Sequence, residues 1–256
     1  MIHATLDGAV WIVALARPER RNALTPDMAS ALLGAIDATP ASARAILLRG
    51  EGAAFCSGFD LKVCLERPGT LEVLLRTLGE VVLALRVENP RPVVIAVQGA
   101  AIAGGCALLG GADVVVAESS AKFGYPVLPL GISPAVSAPF LRRCISSGRA
   151  RARLLDPSLI DGAEAARIGL VHECVSTPVQ VADRAREIAE MLAGKPPGAI
   201  AATRSWLAEI ESFGNEPAQG LNASLSIVES QEQRDALARL FTKSNAMLVN
   251  ERGGPR

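Results

Sequence analysis

Histidine, aromatic residues and any surplus of charge are what this sequence has least of. Only His3 and His172 occur among 256 residues, and aromatics make up 4%. Lysine plus arginine balance aspartate plus glutamate, 26 against 26, for a formal net charge of zero. A chain without a basic surplus has no bulk field to hold nucleic acid or an anionic membrane, so an anionic ligand must meet a local cationic patch. The five cysteines, Cys56, Cys64, Cys106, Cys144 and Cys174, are odd in number and show no CxxC spacing. They read as free thiols in a reducing compartment, with no metal. The first residues, MIHATLDGAV, lack a basic region followed by a long apolar stretch, so no signal peptide is expected. Gly, Pro or charge interrupts every apolar run well short of the roughly 18 residues of a spanning helix. The expectation is a soluble, cytoplasmic protein with neither a nucleic-acid nor a membrane partner.

What is present is core. Half the residues are hydrophobic, and a chain of this length can bury roughly three-quarters of its unfolded surface without a disulfide or metal. Val10–Leu15 and Ala45–Leu48 read as strands, and Val93–Val97 and Val114–Ala117 as strands buried on both faces. Thr25-Pro26-Asp27 reads as a helix start, with Thr25 as N-cap and Pro26 at the first helical position. Apolar residues at 71, 74, 75, 78, 81, 82 and 85 predict an amphipathic helix over Thr70–Val87. From about Val179 the pattern is purely helical, as Val179–Ala193, Pro197–Glu209 and Pro217–Phe241, and the tail Glu251–Arg256 reads as disordered. Strands alternating with helices, followed by helices alone, predict an α/β core over residues 1–195 and a helical segment over 196–256.

Three segments carry candidate chemistry: Ala53–Lys62, Val93–Ala107 and Lys122–Pro134. In the second, a buried strand runs into Gly99–Gly105 and then a helix. That arrangement exposes backbone N–H groups able to hold an anion or a developing oxyanion, or it merely permits tight strand–helix packing. With the Arg17–Leu24 stretch (RPERRNAL), the Ser57-Gly58-Phe59-Asp60-Leu61 turn, the Phe123–Pro126 loop and Gly162–Val171, these segments closely resemble the enoyl-CoA hydratase/isomerase (crotonase) superfamily along nearly the whole chain.

The resemblance implies a spiral of ββα units, a C-terminal helical segment that mediates assembly, and a homotrimer or dimer of trimers. It implies an acyl-CoA ligand, with coenzyme A as part of the substrate and no covalently bound cofactor. By position, the backbone N–H groups of Ser57 and Gly104 would hold the thioester oxygen of an enolate; one such donor is worth roughly 3–4 kcal/mol. Arg20, Arg21, Ala23 and Leu24, together with Ser57, Asp60, Leu61 and Lys62, would contact coenzyme A, with Lys243 reaching a neighbouring subunit's nucleotide.

The departures are as telling. The two glutamates of the family's hydratases fall at Ala107 and Val127, neither of which ionises. General acid–base groups contribute roughly 10²–10⁴-fold each, so hydration is expected to be very slow. Tyr125, the only tyrosine, is a candidate weak acid or polar anchor, or else packs against the next subunit. Glu66, Glu72 and Glu80 lie in or near the helix that would roof the pocket. Cys106 reads as a packing residue, because nothing nearby would lower its pKa, and Asp113 reads as structural. A Ser-His-Asp triad has no support with two distant histidines, and the glycines form no GxGxxG dinucleotide fingerprint. Two readings remain: an enzyme of non-hydratase acyl-CoA chemistry (isomerase, decarboxylase or hydrolase), and a catalytically silent acyl-CoA carrier or regulator.

Overall fold

The structure, a computed structural model, describes residues 1–252, with side chains through Leu240 and at Thr242. Its first half contains strands β1 (Ile2–Asp7), β2 (Val10–Leu15) and β3 (Ala45–Gly50), with helix α1 (Pro26–Asp37) between the second and third. Helices α2 (Leu61–Glu66) and α3 (Thr70–Leu83) follow, and a five-residue π-helical segment, Ala84–Glu88, extends α3. Then come β4 (Val93–Val97), β5 (Ala100–Ile102), α4 (Gly104–Leu108), β6 (Val114–Glu118) and β7 (Lys122–Gly124). The remainder is α5 (Ala138–Ile145), α6 (Ser147–Leu155), β8 (Ile160–Asp161), α7 (Gly162–Ile168), β9 (Glu173–Val175), α8 (Pro178–Ala193), α9 (Pro197–Glu211), α10 (Glu216–Leu225) and α11 (Gln231–Arg252).

A six-stranded sheet runs β1-β2-β3-β4-β6-β9, and a three-stranded one runs β5-β7-β8. Apart from the antiparallel pairs β1–β2 and β7–β8, all neighbours are parallel. Successive turns of chain place one strand in each sheet and then a helix, which is the ββα spiral. The switch between sheets falls at Gly99, whose φ of +63° and contact with the Ala53 carbonyl leave no room for a side chain. All five residues of β4 are buried because both faces are covered. Val93, Ile95 and Val97 join the core under α1 and α3, while Val94 and Ala96 pack beneath α8 with Val181, Ala185 and Ile188. The Thr25 hydroxyl caps α1 by accepting the Met28 N–H at 3.3 Å.

Three features depart from the sequence reading. β1 is an exposed edge strand: Ile2, Ala4 and Leu6 alternate with His3, Thr5 and Asp7, a strand signal the sequence reading did not use, and none of the six is fully buried. The Gly99–Gly105 bend contains β5, which pairs with β7. The helix expected over Pro217–Phe241 is two helices, α10 and α11. Ser230 starts the second: its hydroxyl accepts the Gln233 N–H at 3.2 Å, and the Gln233 side chain accepts the Glu229 N–H at 2.7 Å. This arrangement fixes the start of α11; α10 has already ended at Leu225. No helix among the described residues is long and apolar enough to cross a membrane. The expectation for the tail falls outside the described residues from 253 onward.

The C-terminal helices dock on the core. Arg204 of α9 reaches into it, Ser224 of α10 donates to the Ser133 carbonyl at 2.9 Å, and Gln233 of α11 donates to the Gly131 carbonyl at 3.1 Å.

Candidate acyl-CoA site

The site is assembled from two loops fastened to each other. Asn22, fully buried with φ of 55°, donates to the Glu51 and Ala54 carbonyls at 2.9 and 2.8 Å and accepts the Arg17 N–H at 2.8 Å. Arg17 in turn donates to the Asp60 carboxylate at 2.8 Å and to the Ala23 carbonyl at 3.0 Å. Leu24 and Phe59 form a parallel bridge: the Leu24 N–H donates to the Gly58 carbonyl at 2.7 Å, and the Asp60 N–H to the Leu24 carbonyl at 2.8 Å. In such a bridge the N–H of the middle residue points away from the paired strand. Phe59 therefore presents its N–H on the side opposite Leu24, where no acceptor meets it among the described residues.

Ser57 is different. Its N–H donates to the Arg21 carbonyl at 3.0 Å, so it is not the free donor expected from position. The free one lies two residues further on, at Phe59.

Facing this turn is the start of α4. Ala103 adopts φ 49° and ψ −109°, an uncommon conformation for a residue with a side chain, and its N–H is taken by the Gly124 carbonyl at 2.8 Å. Gly104 follows as the first residue of the helix, where an N–H has no partner within the helix. A Cβ there would lie 2.9 Å from the Phe59 ring, so Gly104 and Phe59 are immediate neighbours.

Beside them opens a cavity of about 200 Å³. Leu75 and Leu78 of α3 line it, with Val127, Leu130, Ile132 and Val136. Its polar side-chain lining consists of hydroxyls, from Ser57, Tyr125, Ser133 and Ser137, and among the described residues no carboxylate or cation lines it.

A family model described as Enoyl-CoA hydratase/isomerase matches residues 5–245. The chain belongs to that family. It is 34% identical over 244 residues to a putative enoyl-CoA hydratase of Thermus thermophilus, covering 92% of this chain and 96% of the relative. It is 28% identical over 247 residues to a short-chain-enoyl-CoA hydratase of Clostridium acetobutylicum, with 93% of each covered. Among solved structures, an enoyl-CoA hydratase/isomerase from Xanthobacter autotrophicus superposes with a TM-score of 0.86 at 28% identity, over 100% of this chain and 98% of that one.

Within this family frame the remaining candidates can be placed. Ala107 is buried in α4 and Val127 forms part of the cavity wall. None of the helical glutamates replaces them: Glu72 pairs with Arg76 at 2.8 Å, Glu66 faces Lys62 at 3.7 Å, and Glu80 is exposed. Cys106 is sealed off, and burial pushes its thiol up to about 12. Asp113 is a partner of Arg204, as a structural residue would be.

Tyr125 lines the cavity at 3% exposure, and burial first, then the neighbouring Cys106, raises its phenol well above the usual 10. Leu61 also lines the cavity. Arg20, Arg21 and Lys62 are exposed and Ala23 is half-buried; the Arg20 and Arg21 carbonyls accept the hydroxyl and N–H of Ser57, which lines the cavity. Two expected coenzyme contacts are corrected. Leu24 is buried in the core with both backbone groups engaged, and the Asp60 carboxylate is committed to Arg17; both hold the loops together. Lys243 lies outside the described side chains.

Proposed function

We propose that the chain binds an acyl-CoA thioester with the acyl group in the apolar cavity, holds the thioester oxygen on the N–H groups of Phe59 and Gly104, and uses that hole for decarboxylation. The observation that carries this reading is a cavity wall with hydrogen-bond donors and no base. Hydration and double-bond migration need a group to take up and return a proton, and thioester hydrolysis needs one to activate water. A buried phenol held above 10 cannot accept a proton near neutrality.

Loss of CO₂ needs no base. The bond between the α-carbon and the carboxylate carbon breaks, its electron pair moves into the enolate, and CO₂ departs. The α-carbon then takes a proton from water, directly or through Tyr125.

Coenzyme A enters as part of the substrate, with Arg20, Arg21 and Lys62 as partners for its phosphates, and no further cofactor is invoked. Trp206, Leu207 and Ile210 leave an exposed apolar stripe on α9, which supports assembly of the 196–256 segment into a trimer or a pair of trimers. Five free thiols suit the reducing cytoplasm.

The experiment is incubation in D₂O at near-stoichiometric enzyme with saturated, 2-enoyl, 3-enoyl and malonyl-type CoA thioesters, followed by mass spectrometry. Loss of CO₂ with one deuterium gained at the α-carbon is expected for the malonyl class alone. Rapid hydration of a 2-enoyl thioester would overturn the reading. The same absence of a base supports a second one, a silent acyl-CoA carrier, and tight binding with no change in any thioester would establish it.

A further inference from the structure

Ser137 ends the 3-10 turn Pro134–Ser137, which runs directly into α5, and its helical φ/ψ of −85° and −17° leave its hydroxyl with no capping bond. The cap of this continuous segment is Ser133. The Ser137 hydroxyl and the Cys106 thiol are both near enough to the Tyr125 phenol to influence it, and Ser137 and Tyr125 share one cavity wall. Both residues are nearly sealed from solvent, at 5% and 3% exposure, and both line the acyl cavity. Neither oxygen belongs to a closed-off orphan group, so each has open space on the cavity side. Ser133, the next serine along the wall, differs in that its hydroxyl accepts the Ala135 N–H at 3.3 Å.

The pair is close to the place where a thioester would react. The Gly124 carbonyl holds the Ala103 N–H, so Tyr125 starts one residue beyond the atom that fixes the turn carrying Gly104. An oxygen on the third carbon of an acyl group is three bonds beyond the carbonyl carbon. No cation lines the cavity, so any oxygen bound there meets neutral donors only.

We propose that Ser137 and Tyr125 form a two-hydroxyl seat for an oxygen on the third acyl carbon, making the cavity selective for malonyl-type thioesters over unsubstituted acyl groups. This rests on the acyl-CoA reading above and names its substrate class. The seat meets the carboxylate before the reaction and gives it up as CO₂ forms, so it acts on ground-state binding and orientation. Ser137 therefore determines specificity, and its removal raises KM more than it lowers kcat.

The test compares ethylmalonyl-CoA with butyryl-CoA, which differ by the carboxylate alone, by calorimetric Kd on the wild type, Ser137→Ala and Tyr125→Phe. Expected is tighter binding of ethylmalonyl-CoA by the wild type, a loss of about tenfold in each variant, and unchanged butyryl-CoA affinity. The phenylalanine keeps the ring packing, so it reports on the seat should the alanine variant fold poorly. Equal weakening of both thioesters, or of neither, overturns the seat while leaving acyl-CoA binding intact. If neither thioester binds the wild type, the acyl-CoA reading falls and the seat with it.

Discussion

The acyl cavity has a neighbour of similar size and opposite chemistry. A second cavity, about 270 Å³, lies between α9 and the core and is lined by Arg86, Arg143, Arg204, Asp113, Glu211 and His172. Judged by titratable groups alone it would pass for the active site. Its groups are nevertheless spoken for: Arg204 bonds Asp113 and the carbonyls of Leu85, Arg86 and Asn89, Arg86 bonds Glu211, and Arg143 bonds Glu216 while stacking over Phe213 at 4.1 Å. His172 accepts the Val115 N–H at 3.0 Å, and burial lowers its pKa. The first cavity, among the described residues, is lined by no charged side chain and keeps N–H groups and hydroxyls open. Unspent hydrogen-bonding capacity, more than density of charge, separates a site from a latch here.

The largest expected break in this contrast is Arg204→Ala. It strands Asp113, whose carboxyl burial already raises, and should cost about 3–5 kcal/mol of stability in denaturant titration. Asp113→Asn combined with Arg204→Met should cost less than that single change. Acyl-CoA binding per folded molecule should be unaffected in both.

Val127→Glu inverts the contrast by placing a carboxylate in the apolar cavity. Stability should fall by about 1–3 kcal/mol. A base is gained in return, so α-deuterium exchange from saturated acyl-CoA in D₂O should appear, and should rise with pH as the raised carboxyl ionises.

In the wild type, turnover should stay level from about pH 7 to about pH 9. The Tyr125 phenol lies well above 10 and the Cys106 thiol at about 12, so both remain protonated throughout. A bell-shaped profile in this range would reveal a titrating group that the cavity wall does not contain.

The smallest effect concerns Ala103, whose left-handed φ suits glycine. Ala103→Gly should relieve strain and, after the added freedom of the unfolded chain, gain on the order of 1 kcal/mol, visible as a modest rise in Tm.

The contrast also sorts what could be read in advance. The apolar runs at 93–97 and 114–117 announce the buried strands, because strands covered on both faces need no alternation. Ala107 and Val127 stand out where the resemblance implies glutamates, since a motif shows an unexpected residue as readily as an expected one. Which N–H is free was not legible. It depends on a parallel bridge between Leu24 and Phe59, far apart in the chain, which turns the Ser57 N–H toward Arg21. Ser137 was invisible for a similar reason, because a serine before Ala-Pro reads as an ordinary helix start. The break between α10 and α11 was readable and missed: Ser230-Gln231-Glu232-Gln233 carries a capping-box pattern.

The clamp of Asn22 and Arg17 makes one handle of two tasks. The stretch carrying Arg20 and Arg21, the proposed partners of the ligand's nucleotide end, is the same one whose Leu24 sets the direction of the Phe59 N–H proposed for the thioester. Grip at one end can thus tighten aim at the other, some distance along the same molecule. A pantetheine-only thioester, shorn of its nucleotide, should accordingly lose rate as well as affinity.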